Sequence, residues 1–192
     1  MNRTVKMAAG ALFAMLVGSF AAVALAAEVG GVKLDDKVSI GAQELVLNGA
    51  GVRTRVVFKV YVASLYLPQK AADLAGVVAK SPRRIQLNLL RTLSADQLVD
   101  ALNDGLAENN TAGELAAVKP QVEALATIMK SFNEVKEKDV ITLDFVDGAT
   151  RIGLNGDAKG NIGGEAFNQA LTKVWLGDKP VQVDLKKSLL GV

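Results

Sequence analysis

The 192 residues include no His and no Cys. That removes the commonest general base, the usual zinc ligands and every Ser-His or Cys-His nucleophile. Chemistry must therefore run on Lys, Arg, Tyr, Asp or Glu. No acids cluster at metal-site spacing, and Asp144, Asp147 and Asp157 read as turn or strand-face residues. Gly49-Ala50-Gly51 precedes a strand-like segment rather than a helix, and Gly153 to Gly164 lacks a Gly-Lys-Ser/Thr ending, so neither is a phosphate loop. Arg53, just after the first of these stretches, is either the partner of a surface acid or an anion contact. Tyr61 and Tyr66 lie in a β-rich segment that favours aromatics for packing; Tyr66 reads as core and Tyr61 is open between core and site. Arg91 is a candidate second anion contact, Trp175 reads as core, and Arg83, Arg84, Lys186 and Lys187 as solvated charges.

The elements that must position these residues show in the periodicity. Val52 to Leu67 is rich in β-branched and aromatic residues and predicts one long strand or a hairpin bent near Thr54 and Arg55. Asn48 to Gly51 reads as a turn cluster. Ala71 to Ala79 predicts a short helix, and Arg84 to Leu90 alternates as a strand. Ser94-Ala95-Asp96-Gln97 is a capping-box pattern, with Leu98, Leu102 and Leu106 following at helical spacing. A second helix is expected over about Glu114 to Asn133, with Pro120 in its first turns or dividing it. Period two returns in Val140 to Val146, Thr150 to Leu154 and a piece near Asn161-Ile162. Asp147-Gly148 joins the first two, and either Asn155-Gly156 or Lys159-Gly160 the last. Helices are expected over Gly164 to Leu176, stopped by Gly177, and over Val183 to Leu190. The pattern predicts one α+β domain, an antiparallel sheet covered on one face by helices.

Arg3 and Lys6 precede an uncharged run from Met7 to Leu25, and Ala24-Leu25-Ala26 offers the small residues that signal peptidase reads. This predicts a cleavable secretory signal over residues 1–26 and a domain over 27–192, placed in the periplasm or secreted. No stable membrane span would remain after cleavage. Losing Arg3 and Lys6 leaves 20 basic and 20 acidic residues, a balance that gives no reason to expect nucleic-acid partners. The sequence does not set the oligomeric state.

Four blocks carry a specific resemblance: GAGVRTRVVFKVYVASLYLP, RIQLNLLRTLSADQLVDALNDGLAENN, LDFVDGATRIGLNGDAKG and ALTKVWLGDKPVQVDLKKSLLG. Together and in order, the chain resembles the chalcone isomerase family, in particular its bacterial exported chalcone isomerase-like members. The resemblance implies an open-faced β-sandwich, a large antiparallel sheet with a helical layer enclosing a ligand cleft. Arg53 matches the Arg that binds the substrate's nascent anion in the plant enzymes, and Asn109 falls on the family's Asn. Tyr61 stands where the enzymes carry a Thr, Leu102 replaces a Tyr that helps order a water, and Gly105 replaces a supporting Lys. Half of the electrophile and proton relay that cyclisation needs is absent. In non-catalytic relatives an Arg and a Tyr at the positions of Arg53 and Tyr61 hold a fatty-acid carboxylate.

The resemblance therefore implies a binder of a small lipophilic carboxylate, with Arg53, Tyr61, Asn109 and Leu102 as ligand-binding residues. No catalytic residue, metal or cofactor is expected. Val57, Val60, Val62 and Leu65, with Leu98, Leu102 and Leu106, are expected to line an apolar tunnel, although the leucine stripe also fits plain core. Asn109 also fits a helix cap. The alternatives are an intramolecular lyase using Arg53 as electrophile, and an envelope interaction protein with a vestigial cleft.

Overall fold

The computed structural model describes residues 27–192; the expected signal segment, residues 1–26, lies outside them. A short hairpin comes first, β1 (Ala27–Val29) with β2 (Val32–Leu34). The main sheet is built from β3 (Lys37–Ile40), β4 (Gln43–Arg55), β5 (Phe58–Leu67) and β6 (Arg83–Leu89). A two-residue pairing of β7 (Leu93–Ser94) with β8 (Glu134–Val135) follows. The meander β9 (Val140–Val146), β10 (Ala149–Leu154) and β11 (Asp157–Gly163) completes the sheet. Its seven strands run in the order β11-β10-β9-β6-β5-β4-β3, each antiparallel to its neighbour.

Strict alternation decides what each strand buries. Ile85, Leu87 and Leu89 on β6 and Ile141, Leu143 and Phe145 on β9 turn inward to the main core. On that face lie the helices α1 (Leu74–Val78), α2 (Ala95–Asn109), α3 (Ala112–Ala117), α4 (Lys119–Lys130), α5 (Glu165–Leu176) and α6 (Val183–Leu190). The opposite face buries Val62 beneath the β1–β2 hairpin and carries a small cluster of Ile40, Leu45 and Tyr66. Beside it Arg84 grips Asp144 bidentately across β6 and β9, at 2.5 and 2.7 Å.

Local signals set the helix ends. Ser94 and Gln97 form the expected capping box, and α2 buries Leu98, Leu102 and Leu106. Pro120 divides the segment expected as one helix: α3 stops at Ala117 and Pro120 sits in the first turn of α4, where its missing N–H leaves no ladder bond unmade. A second capping box pairs Thr111 with Glu114. Glu114 also accepts a 2.7 Å bond from Lys173, docking α3 on α5. The Lys173 ammonium, with the Thr111 amide, holds the Glu114 carboxyl at about 2, below its usual 4.5. A depressed carboxyl stabilises above its ordinary range, so this docking is expected to weaken as pH falls from 4.5 through about 2. A Glu114 carboxyl resonance that titrates near 4.5 by NMR would refute it.

Three sequence readings of the sheet are corrected or resolved. Asn48 to Gly51 is not a turn but the interior of β4. Asn48 is the extra residue of a bulge between Leu47 and Gly49, and its amide bonds Ala71 and the Leu189 carbonyl, the latter at 2.7 Å. The glycines are there because α6 lies directly on them: a Cβ on Gly51 would stand 2.8 Å from the Ser188 Cβ. Val52 to Leu67 is a hairpin, but its loop is Val56-Val57, beyond the expected Thr54 and Arg55. Asn155-Gly156 makes the second meander turn, with φ of 55° and 88°, matching Asp147-Gly148 at 53° and 70°.

Arg83 is the largest correction, since it is not solvated but 2% exposed. It holds an inward position on β6, and strand alternation forces it into the core. There its guanidinium lies 4.6 Å from the Phe145 ring centre and donates to the Lys80 carbonyl at 3.1 Å. Burial pushes its pKa down.

Candidate ligand cavity

Between the sheet and the helical layer lies a cavity of about 660 Å³, within the roughly 300–1,000 Å³ typical of small-molecule sites. Its buried lining is apolar: Leu87, Ile141 and Leu143 from the sheet, Leu98, Leu102 and Gly105 from α2, Met129 from α4, and Val174 and Trp175 from α5. The exposed rim is mixed, with Arg55, Arg91 and Lys179 against Asp104, Glu108 and Asp178.

Arg53 and Tyr61 stand half-buried at the boundary between these two zones and are direct cross-strand partners on β4 and β5. The register then slips: Thr54 pairs with Lys59, leaving Val60 as an extra residue. This bulge turns Val60 and Tyr61 both toward the cavity, where simple alternation would show only one of them.

Gln182, just before α6, fixes the Arg53 end. Its amide oxygen accepts from the Thr54 N–H at 2.8 Å and from Arg53 Nη1 at 3.4 Å, while its nitrogen donates to the Val52 carbonyl. Arg53 Nη1 also donates to the Thr54 carbonyl. Both bonds leave from one nitrogen, and among the described residues no carboxylate pairs with Arg53. A cation at the edge of an apolar cavity without an acid partner is a place for an anionic ligand group.

Tyr61 is oriented from the other side. Trp175 Nε1 donates to its hydroxyl at 3.1 Å, which leaves the phenolic proton available to a ligand. Burial raises the Tyr61 pKa, and the Trp175 bond and the Arg53 charge offset only part of that. The phenol is therefore neutral, and a donor, at physiological pH.

Of the residues expected at the site, Arg53, Tyr61 and Leu102 meet in the cavity. Asn109 does not line it. Its amide donates to the Gly105 and Lys179 carbonyls at 2.9 and 2.6 Å and accepts from the Lys179 N–H, stapling the loop after α5 onto α2. Gly177 stops α5 partly for this reason, because any side chain there would strike Asn109. The expected tunnel wall is also revised. Val60, Leu98 and Leu102 line the cavity, whereas Val57 sits on the exposed hairpin loop and Leu65 and Leu106 belong to the packed core. Val62 packs beneath the β1–β2 hairpin, where a Cβ on Gly30 would stand 3.2 Å from it. Arg91 reaches the rim, its guanidinium 5.0 Å from the Phe58 ring centre.

Two residues with a role here are not legible as such in the sequence. Trp175 is buried but lines the cavity and orients Tyr61, and Gln182 carries no motif at all. Packing sets what Leu102 and Gly105 contribute. Leu102 supplies a dry wall. A Cβ on Gly105 would stand 2.7 Å from Val174 Cγ1, so α2 and α5 touch at this glycine.

In comparisons with known proteins, no curated sequence matches. The fold is similar to that of the Arabidopsis thaliana fatty-acid binding protein, with a TM-score of 0.62 at 12% identity over 83% of this chain and 92% of that one. The model of the chalcone isomerase-like family matches residues 26–191. With the open-faced seven-stranded sheet, the helical layer and the cleft between them, the chain belongs to the chalcone isomerase-like family.

Proposed function

We propose that this protein is an exported, non-catalytic binder of a fatty acid or similar small lipophilic carboxylate, working in the periplasm or outside the cell. One observation carries the reading: a buried apolar cavity ends at a cation and a neutral phenol that face each other across two strands. Arg53 grips the carboxylate through its planar fork, Tyr61 donates a further hydrogen bond, and the tail lies against Leu98, Leu102, Met129 and Leu143. The similarity in fold to a fatty-acid binding protein agrees with this. A lyase would need a proton relay, and Leu102 and Gly105 offer no acid or base where the family's enzymes have one. A vestigial cleft would leave Arg53 tied to an internal acid, and among the described residues it is not.

The single tryptophan provides the assay. Titrating palmitate is expected to change Trp175 emission saturably, because the ligand reaches its cavity face and polarises the Tyr61 hydroxyl that accepts the indole N–H. In Tyr61→Phe the indole loses its acceptor, so the unliganded spectrum shifts, and palmitate affinity falls about tenfold for one lost bond to a charged group. An unaltered Trp175 spectrum across a full palmitate titration would refute carboxylate binding at this cavity.

A further inference from the structure

The rim breaks two local rules at one place. Val56, the first residue of the hairpin loop, has φ of 58°, a left-handed conformation that glycine normally takes and that a β-branched side chain resists. It is also 89% exposed, next to Val57 at 77% and Phe58 at 58%. Of the five large apolar side chains most exposed among the described residues, Val56, Phe58 and Val183 at the start of α6 line this rim, and Val57 sits between the first two on the hairpin tip. Apolar side chains gathered at a strained tip, rather than scattered, mark a contact surface.

The surrounding charge indicates what touches it. Arg55 and Lys59 flank the tip along the hairpin, and Arg91 stacks on Phe58. The rim's acids, Asp104, Glu108 and Asp178, come from α2 and the loop after α5, and Glu108 is paired with Lys179 at 3.3 Å. An apolar wedge on a basic hairpin is complementary to an anionic bilayer, whose acyl region takes valine and phenylalanine while its headgroups take the cations.

We propose that the Val56–Phe58 tip docks the cavity mouth on an anionic lipid surface. On the reading of the cavity given above, an acyl chain then passes between bilayer and cavity without crossing water. The tip is continuous with the cavity because Val56, Phe58 and Val183 line its entrance.

The test is co-sedimentation of the mature chain with phosphatidylglycerol vesicles and with phosphatidylcholine vesicles. Binding is expected to the first, to weaken with added salt, and to be slight to the second. Val57→Asp removes apolar contact and adds a repelled charge, and is expected to cut vesicle binding tenfold or more. Its affinity for palmitate without vesicles should stay unchanged, since Val57 does not line the cavity. Val56→Gly is expected to raise Tm by relieving strain while weakening docking, a combination that a purely structural role does not produce. Failure of the wild type to bind phosphatidylglycerol vesicles, or wild-type binding by Val57→Asp, would overturn docking. So would a concentration-dependent dimer in ultracentrifugation that Val57→Asp abolishes, which would assign the tip to a second copy. Vesicle binding without palmitate binding would instead overturn the cavity reading and leave docking standing.

Discussion

Arg53→Ala is expected to weaken palmitate binding about 100-fold in calorimetry, with little change in Tm. The size follows from the bonds lost. A hydrogen bond to a charged group contributes about 1.5–3 kcal/mol, and the ligand carboxylate would be left at the edge of an apolar cavity with only Tyr61 to meet it. Stability should be nearly unaffected, because Gln182 still holds the Thr54 N–H and the Val52 carbonyl when the guanidinium is gone. Arg53→Lys should recover only part of the loss, since an ammonium keeps the charge but not the fork. Palmitate methyl ester offers an independent check: it removes the charge from the ligand, so its affinity should hardly distinguish wild type from Arg53→Ala. Equal palmitate affinity in mutant and wild type would eliminate Arg53 as the carboxylate contact.

The largest expected effect on stability is at Gly49. An added methyl group there would press on the Ser188 carbonyl and stand 2.7 Å from the Leu189 carbonyl, and neither backbone atom can swing aside as a side chain could. Gly49→Ala is therefore expected to cost about 3 kcal/mol, the upper range for overpacking, lowering Tm by about 6–12 °C for a domain of this size. The damage should extend to ligand binding. Displacing α6 strains the Asn48 bond to Leu189 and shifts Gln182, the residue that holds Arg53. Gly113→Ala is the control, since a methyl group there meets no atom within 4 Å and falls in helix α3. If the two variants melted together, α6 would not sit on β4 in this way.

Where a structural signal is local, the sequence carried it. The Ser94 capping box starts α2 because four consecutive residues suffice for it, and Val183 to Leu190 is helical as read. The two Xaa-Gly turns of the meander need left-handed residues, and Asp147-Gly148 and Asn155-Gly156 supply them. Composition misled where the same residue types serve a different purpose. Asn48 to Gly51 has the makeup of a turn, yet its glycines admit a helix from the far end of the chain. Arg83 looks like any surface charge until β6 is given its inward face.

The absence of His and Cys excludes Ser-His and Cys-His nucleophiles and imidazole or thiolate metal ligands by residue type alone. The identities of Arg53 and Tyr61, a cation and a phenol, are set by the sequence. Whether those two residues face each other was beyond the sequence, because strand register depends on hydrogen bonds between segments, and on a bulge at Val60 that no local pattern marks. The cavity too is a property of tertiary structure. Its walls come from β6, β9, α2, α4 and α5, and its depth depends on how closely Gly105 lets α2 approach α5. Helical and strand periods are set by neighbouring residues; the space left between packed layers is set by contacts between residues far apart in the chain.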